Sequence, residues 1–132
     1  LYYNKQMYEE TLSTLLQVQF TDVKYHLNTN FLLLRTYYAM HDTEALLSLL
    51  ETFRIYVIRN RKMTTELKRG YTNFIRYAKR LVLLKHQAST YSKKRLREGL
   101  EGLAQEIEST ENVINRYWLL EECRDSTGVA VV

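Results

Sequence analysis

Three histidines are the residues best suited to metal binding. Asp22 and His26 are four positions apart, which places them on one side of a helix as a candidate pair of metal ligands. A helix-capping aspartate followed by a half-buried histidine explains the same spacing. His41 and His86 lack a nearby set of cysteines and carboxylates that would complete a site. We therefore expect no bound metal and no cofactor.

The candidate catalytic residues are two glutamate pairs and one cysteine. Glu9–Glu10 and Glu121–Glu122 are sequence neighbours, so their side chains point to different faces of a helix and cannot share a proton. Cys123 has no evident base partner, and we interpret it as an inert thiol. No glycine-rich phosphate loop is present. The sequence therefore predicts a protein that is not an enzyme.

Charge is strongly segregated along the chain. Residues 1–53 contain three Lys or Arg and six Asp or Glu, a net charge of −3. Residues 54–97 contain fourteen Lys or Arg and one Glu, a net charge of +13. Residues 98–132 contain two Arg and eight Asp or Glu, a net charge of −6. Segregation of this kind requires an explanation in the fold or in a partner.

Three interpretations of the basic middle segment remain open. In the first, the acidic C-terminal helices pack beside it and compensate its charge, at ~0–1 kcal/mol for each exposed ion pair. In the second, its basic face binds an acidic protein or peptide. In the third, it is a nucleic-acid-binding surface on which Tyr77 or Tyr91 stacks on bases, although no DNA- or RNA-reading motif accompanies it. The residues proposed for this basic face are Lys68, Arg69, Arg76, Lys79 and Arg80.

The composition predicts a helical protein. The 132 residues include no proline and only four glycines, and 45% of them are hydrophobic. Few helix breakers and abundant Leu, Lys, Arg and Glu favour an all-α fold over a turn-rich β fold. The length predicts a single helical domain over residues 1–124, followed by a frayed tail over residues 125–132.

Three further features bear on the protein's location and context. No apolar run approaches the ~20 residues of a membrane-spanning helix, so we expect no membrane partner. A single cysteine rules out an internal disulfide and favours a reducing, cytoplasmic location. The chain begins at Leu1 rather than at a methionine, and we expect it to be a segment of a longer protein.

Hydrophobic spacing and capping residues predict the helices in order. They are Tyr2–Leu16, Val23–Met40, Glu44 to about Asn60, a helix that starts at Thr64–Glu66 and runs to about His86, Lys93 to about Ile107, and a last helix that starts at Ser109–Glu111 and runs to about Arg124. A polar linker covers Gln87–Ser92. Because the turn at residues 41–43 is short, the second and third helices are expected to form an antiparallel hairpin.

The Val23–Met40 helix is apolar on most of its circumference. One stripe holds Val23, Leu27, Phe31, Leu34 and Tyr38, and a second arc holds Tyr25, Leu32, Leu33, Tyr37, Ala39 and Met40, which leaves a polar wedge of Lys24, Asn28 and Arg35. Such a helix is expected to be covered on several sides. Tyrosines also lie at apolar-face positions elsewhere, namely Tyr56, Tyr71 and Tyr117. A tyrosine-lined groove would suit a bound peptide, with Tyr37, Tyr71 and Tyr77 as its candidate aromatics.

The passage from Tyr37–Tyr38 to Asp42–Ala45 resembles the middle of a tetratricopeptide (TPR) repeat, in which an aromatic residue closes one helix and an acidic turn opens the next. The resemblance covers Phe31–Phe53, and the chain is more loosely similar to helical C-terminal segments of uncharacterised bacterial proteins. It implies a solenoid of helical hairpins that acts as a scaffold and binds peptides or proteins without catalysis. The hairpins recur at about 42 residues rather than the 34 of TPR repeats. A compact irregular bundle is the alternative fold.

These observations together predict an all-α domain of five or six antiparallel helices. The expected function is that of a protein–protein interaction or scaffold module that binds an acidic protein or peptide. A nucleic-acid-binding accessory domain that uses residues 54–97 is the alternative function. A third possibility is a structural segment that packs against upstream parts of its own chain.

Overall fold

The computed structural model describes residues 7–10 and 23–125. Residues 7–10 are helical, and the remainder of the predicted Tyr2–Leu16 helix lies outside the described residues, as does the tail after residue 125. The helices are α1 (Val23–Met40), α2 (Thr43–Arg59), α3 (Thr65–His86), α4 (Lys93–Ser109) and α5 (Arg116–Arg124), with a short 3₁₀ turn at Ala88–Thr90. The described ranges contain no strand. The all-α prediction is confirmed.

Local capping interactions explain why α1 ends, and why α2, α3 and α4 begin, close to the predicted residues. His41 adopts a left-handed backbone conformation with φ 59°, and the amides of His41 and Asp42 donate to the carbonyls of Tyr38 and Tyr37, each at 3.1 Å. This is a Schellman motif, which ends α1 without a glycine. Asp42 then caps α2, because its Oδ1 accepts from the Ala45 amide at 3.2 Å.

The next two helices also begin at side-chain caps. Thr64 Oγ1 accepts from the Leu67 amide at 3.1 Å at the start of α3. Ser92 Oγ accepts from the Arg95 amide at 3.1 Å at the start of α4. Because a cap satisfies amides that have no partner inside the helix, it defines the start of the helix within the local sequence.

The start of the last helix was predicted wrongly. The sequence predicted a restart at Ser109–Glu111, but α5 begins at Arg116 and residues 110–115 form a loop. The Ile114 amide donates to the Gly70 carbonyl at 3.2 Å, and Asn115 is left-handed with φ 54°. These non-helical interactions with α3 replace the expected first turn, so Val113 and Ile114 lie in the loop.

The chain divides into two compact units, residues 1–53 and residues 54–132. In the first unit the buried apolar residues are Leu27, Leu33, Leu34, Leu46, Leu50 and Phe53. The coverage of α1 expected on several sides does not extend to part of its second apolar arc, because Tyr25 is 66% exposed and Leu32 is 47% exposed. A single domain over residues 1–124 stays a prediction.

Three polar residues of α1 are buried instead, namely Thr29, Asn30 and Thr36. Asn30 Nδ2 donates to the His26 carbonyl at 2.9 Å, and Thr36 Oγ1 donates to the Leu32 carbonyl at 2.8 Å. Bonds of this kind to the preceding turn let short polar side chains be buried without an unsatisfied donor. Hydrophobic periodicity alone does not identify such positions.

The second unit packs α3, α4 and α5 around one core. Three contacts show that α4 runs antiparallel to α3. Along α4, Gly99 lies near Leu84, Glu106 forms an ion pair with Arg80, and Thr110 is hydrogen-bonded to Tyr77. The predicted α4 seam of Leu96, Leu100, Leu103 and Ile107 is entirely buried. It packs with Phe74, Ile75, Ala78, Leu81 and Val82 of α3 and with Leu119 and Cys123 of α5 to form the core of this unit.

Candidate protein-binding face

The basic residues singled out from the sequence lie on the solvent side of α3. At 100° per residue, positions 68, 69, 76, 79 and 80 occupy the side opposite the buried Phe74 and Ala78. Arg69, Arg76 and Lys79 are exposed, as is Arg80, whereas Lys68 is half-buried. These five residues, Lys68, Arg69, Arg76, Lys79 and Arg80, are called the basic face below.

Lys68 has a structural contact at one end of the basic face. Its Nζ donates to the carbonyl of Ile58 at 3.0 Å. Ile58 is in the last turn of α2, where carbonyl groups lack partners within the helix and a positive charge is favourable. Lys68 therefore helps to close α2 and is less available to a partner than the exposed members of the basic face.

Arg76 is held in place by a chain of hydrogen bonds. Its Nη2 donates to the Tyr77 hydroxyl at 3.1 Å, and its guanidinium lies 4.8 Å from the centre of the Tyr77 ring. The Tyr77 hydroxyl lies 2.6 Å from Thr110 Oγ1. Because Thr110 Oγ1 gives its own hydrogen to the Glu106 carbonyl at 2.8 Å, Tyr77 must be the donor to Thr110. The Arg76 guanidinium is thereby held against Tyr77.

Arg80 completes a pair of arginines around the same tyrosine. Its guanidinium lies 5.8 Å from the centre of the Tyr77 ring, and its Nη2 donates to Glu106 Oε2 in an ion pair whose two side chains are 43% and 53% exposed. The hydrogen bond from Arg80 lowers the pKa of the Glu106 carboxyl, and the charge of Arg76 lowers it further. Glu106 thus forms an ion pair with Arg80 and lies in the electrostatic field of Arg76.

Internal compensation accounts for only part of the basic segment. Besides Arg80, Lys85 pairs with Glu122 of α5 at 3.8 Å. Arg124 pairs with Glu108, which links two members of the acidic C-terminal segment itself. Within residues 7–10 and 23–125, neither Arg69 nor Lys79 has a carboxylate at ion-pairing distance. The exposed charge of these two residues is available to a partner.

The structure corrects the interpretation of Tyr77 as a groove aromatic. Tyr77 is only 3% exposed and its hydroxyl is engaged, so its ring cannot line an open groove or stack on a base. Tyr71 is half-buried in the second unit, and burial raises the pKa of its phenol. Tyr37 is half-buried in the first unit.

Two other tyrosines also carry predictions from the sequence. Tyr117 was expected at an apolar-face position, but it lies in the first turn of α5 and is 87% exposed. Tyr91, the other candidate for base stacking, donates its hydroxyl hydrogen to Gln87 Oε1 at 2.7 Å. The Arg95 guanidinium lies 4.6 Å from the centre of the Tyr91 ring and covers one face of it.

The candidate metal and thiol residues do not assemble into a reactive site in the described structure. His26 is half-buried, and burial lowers its pKa, while Asp22 lies outside the described residues. No group of three or more His, Cys, Asp or Glu residues that could hold a metal ion occurs in residues 7–10 and 23–125. Cys123 is 6% exposed, and burial raises its pKa to about 11.

Several residues that contact this face or the loop beside it could not be identified from the sequence. Glu106 and Thr110 are ordinary polar residues of α4 and its C-terminal cap in the sequence, and only the antiparallel packing on α3 brings them to Arg80 and Tyr77. Arg116 was likewise missed. It donates to the carbonyls of Ile107 and Glu111 and so caps the end of α4.

None of the α-helices in the described residues is both long and apolar enough to cross a membrane. No protein-family model matches the chain, and the comparisons with curated proteins and with solved structures found no significant similarity.

Proposed function

We propose that this protein is a non-catalytic protein-interaction module whose basic face binds an acidic segment of a partner protein. It is proposed to work in the cytoplasm, as a TPR-like scaffold or a compact bundle. The observation that carries the proposal is the exposed position of Arg69 and Lys79, which have no ion-pair partner within the described residues.

The arrangement on α3 suits an extended acidic partner. Arg69, Arg76 and Arg80 follow one side of the helix at positions i, i+7 and i+11, a length of about 16 Å at 1.5 Å per residue. Several cations in a row on a rigid element attract a row of carboxylates and speed their encounter. Arginine also favours this role because its planar guanidinium can bind a carboxylate through two hydrogen bonds.

The positions of the aromatic residues favour a protein partner over nucleic acid. Single-stranded nucleic acids are usually bound by a basic groove together with aromatic rings that stack on bases. Tyr77 is buried, and Arg95 covers one face of Tyr91. The basic face therefore offers positive charge without the stacking platform that a nucleic-acid-binding surface uses, and a protein with clustered carboxylates is the preferred partner.

The proposal is tested with a fluorescently labelled peptide rich in Asp and Glu, whose binding is followed by anisotropy at two salt concentrations. We expect binding that weakens as salt rises and that the double variant Arg69→Gln/Lys79→Gln weakens at least threefold. Lys93→Gln/Lys94→Gln is the matched control, because it removes the same charge from two exposed positions of α4. Circular dichroism and urea midpoints establish that both variants remain folded.

Two results would overturn the proposal. One is an equal loss of affinity in the two double variants, since net charge rather than the basic face would then govern binding. The other is tighter binding of a labelled oligonucleotide than of the peptide under the same salt conditions, with loss of oligonucleotide binding in Arg69→Gln/Lys79→Gln. That result would assign the basic face to nucleic acid.

A further inference from the structure

We propose that Glu106 competes with the partner for one binding position. Its carboxylate occupies the position beside Arg80 and Arg76 that a carboxylate of the acidic partner takes on binding. The inference rests on the proposed function and adds to it an anchor point and an autoinhibitory contact. It identifies the ligand group as the carboxylate of an Asp or Glu side chain in a protein segment.

The placement of Glu106 is the first of three features that support the inference. Glu106 Oε2 accepts from Arg80 Nη2, and Arg80 and Arg76 both lie against the Tyr77 ring, at 5.8 and 4.8 Å from its centre. The carboxylate of Glu106 is therefore bound by one arginine and lies in the field of a second. This is the environment that a carboxylate of an incoming peptide would require.

The second feature is that the contact can be exchanged. The side chains of Arg80 and Glu106 are 43% and 53% exposed, and ion pairs at such exposure are weak because water competes for both charges. A glutamate at the surface can move into solvent by changing its side-chain rotamer. A partner that presents several carboxylates at once has an advantage in this competition, since its remaining charges bind elsewhere on the basic face.

The third feature is that the site persists after Glu106 leaves. Arg76 is ordered by its hydrogen bond to Tyr77, and Tyr77 is fixed by Thr110 through its hydroxyl. The backbone carbonyl of Glu106, rather than its carboxylate, accepts the hydrogen bond from Thr110. Displacement of the carboxylate therefore leaves this chain of hydrogen bonds intact, and the ligand meets Arg76 already in position beside the freed Arg80.

The test compares peptide affinity of the wild-type protein with that of Glu106→Gln and Glu98→Gln. Both variants remove one negative charge from an exposed position of α4, but Glu98 has no arginine partner in the described residues. We expect Glu106→Gln to bind the acidic peptide about two- to fivefold more tightly than Glu98→Gln does, the range that loss of an exposed competing ion pair allows. Arg80→Gln should abolish this gain when it is combined with Glu106→Gln.

A second readout follows the carboxylate itself. The pKa of Glu106, measured by NMR, should rise in the wild-type complex with saturating peptide, because the guanidinium that lowers it is then bound to the peptide. If the peptide binds and Arg69→Gln/Lys79→Gln weakens it, but Glu106→Gln matches Glu98→Gln and the Glu106 pKa is unchanged, the inference is overturned and the proposed function stands. If the acidic peptide binds neither wild type nor Glu106→Gln, both fail.

Discussion

A β-carbon added to Gly70 would lie 2.6 Å from Oδ1 of Asn112, closer than two such atoms can approach. Asn112 is itself fixed, because its Nδ2 donates to the Glu66 carbonyl at 2.7 Å and its carbonyl accepts from Asn73 Nδ2 at 2.8 Å. The loop of residues 110–115 therefore packs directly on the backbone of α3. Gly70 is required by this close approach, since no glycine among the described residues has a positive φ.

The first prediction concerns this contact. Gly70→Ala should lower the free energy of unfolding by about 1–3 kcal/mol, the usual cost of overpacking. The gain of up to ~1 kcal/mol from the better helix propensity of alanine does not offset it. The measurement is the urea unfolding midpoint, together with hydrogen exchange of the Ile114 amide, which should accelerate because its bond to the Gly70 carbonyl is displaced.

Gly102 is the matched control for this prediction. It is exposed in α4, and a β-carbon there would meet nothing within 4 Å. Gly102→Ala should therefore raise the free energy of unfolding by about 0.5–1 kcal/mol through helix propensity alone. Equal stabilisation by both substitutions would show that the 110–115 loop does not pack on α3.

The second prediction concerns the coupling of Tyr77 to Thr110. Tyr77→Phe keeps the buried ring and removes the hydroxyl that donates to Thr110 Oγ1, and it should cost about 0.5–1.5 kcal/mol. Thr110→Val removes the acceptor. In a double-mutant cycle measured by urea unfolding, the two effects should be non-additive by at least ~0.5 kcal/mol. Strict additivity would mean that the two hydroxyls do not interact.

The third prediction concerns the two faces of α5. Leu119 is fully buried, so Leu119→Ala should cost about 2–5 kcal/mol of stability. Tyr117, two residues earlier, is exposed, and Tyr117→Ala should change stability by no more than about 0.5 kcal/mol. Thermal or urea unfolding measures both. A large loss in Tyr117→Ala would place that ring in the core, as the sequence pattern predicted.

The fourth prediction concerns the thiol of Cys123. Its pKa is raised from 9.0 to about 11, mainly because burial disfavours the thiolate. A thiol-specific reagent should react much more slowly with the folded protein at pH 8 than with the protein in urea. A native-state rate equal to that of the unfolded chain would contradict the burial of the thiol.

The same shift predicts how stability depends on pH. A group whose pKa is raised by folding contributes stability that is fully present below the unfolded pKa and is lost as the pH rises through the folded pKa. For Cys123 that window runs from pH 9.0 to about 11. The free energy of unfolding of the wild type should therefore fall more steeply across this window than that of Cys123→Ala. If the free energy of unfolding falls equally steeply with pH in the two proteins, the raised pKa of Cys123 is contradicted.

Most helix boundaries were predictable from the sequence because they depend on neighbouring residues. The predicted bounds of Val23–Met40 match the structure, and α3 begins where Thr64 can cap it. The start of α5 was predicted wrongly because the loop that precedes it is stabilised by Gly70 and Glu66, about forty residues away. No local pattern in residues 109–115 indicates these contacts with Gly70 and Glu66.

The sequence by itself determined the all-α class, the apolar seam of α4 and the segregation of charge, since each follows from residue types at short, regular spacings. Only the tertiary structure decided which charges meet. The antiparallel packing of α4 on α3 brings Glu106 to Arg80 and leaves Lys79 at the surface without a carboxylate among the described residues. Ion pairing depends on distances of a few ångströms between residues far apart in the chain, and packing of the helices sets those distances.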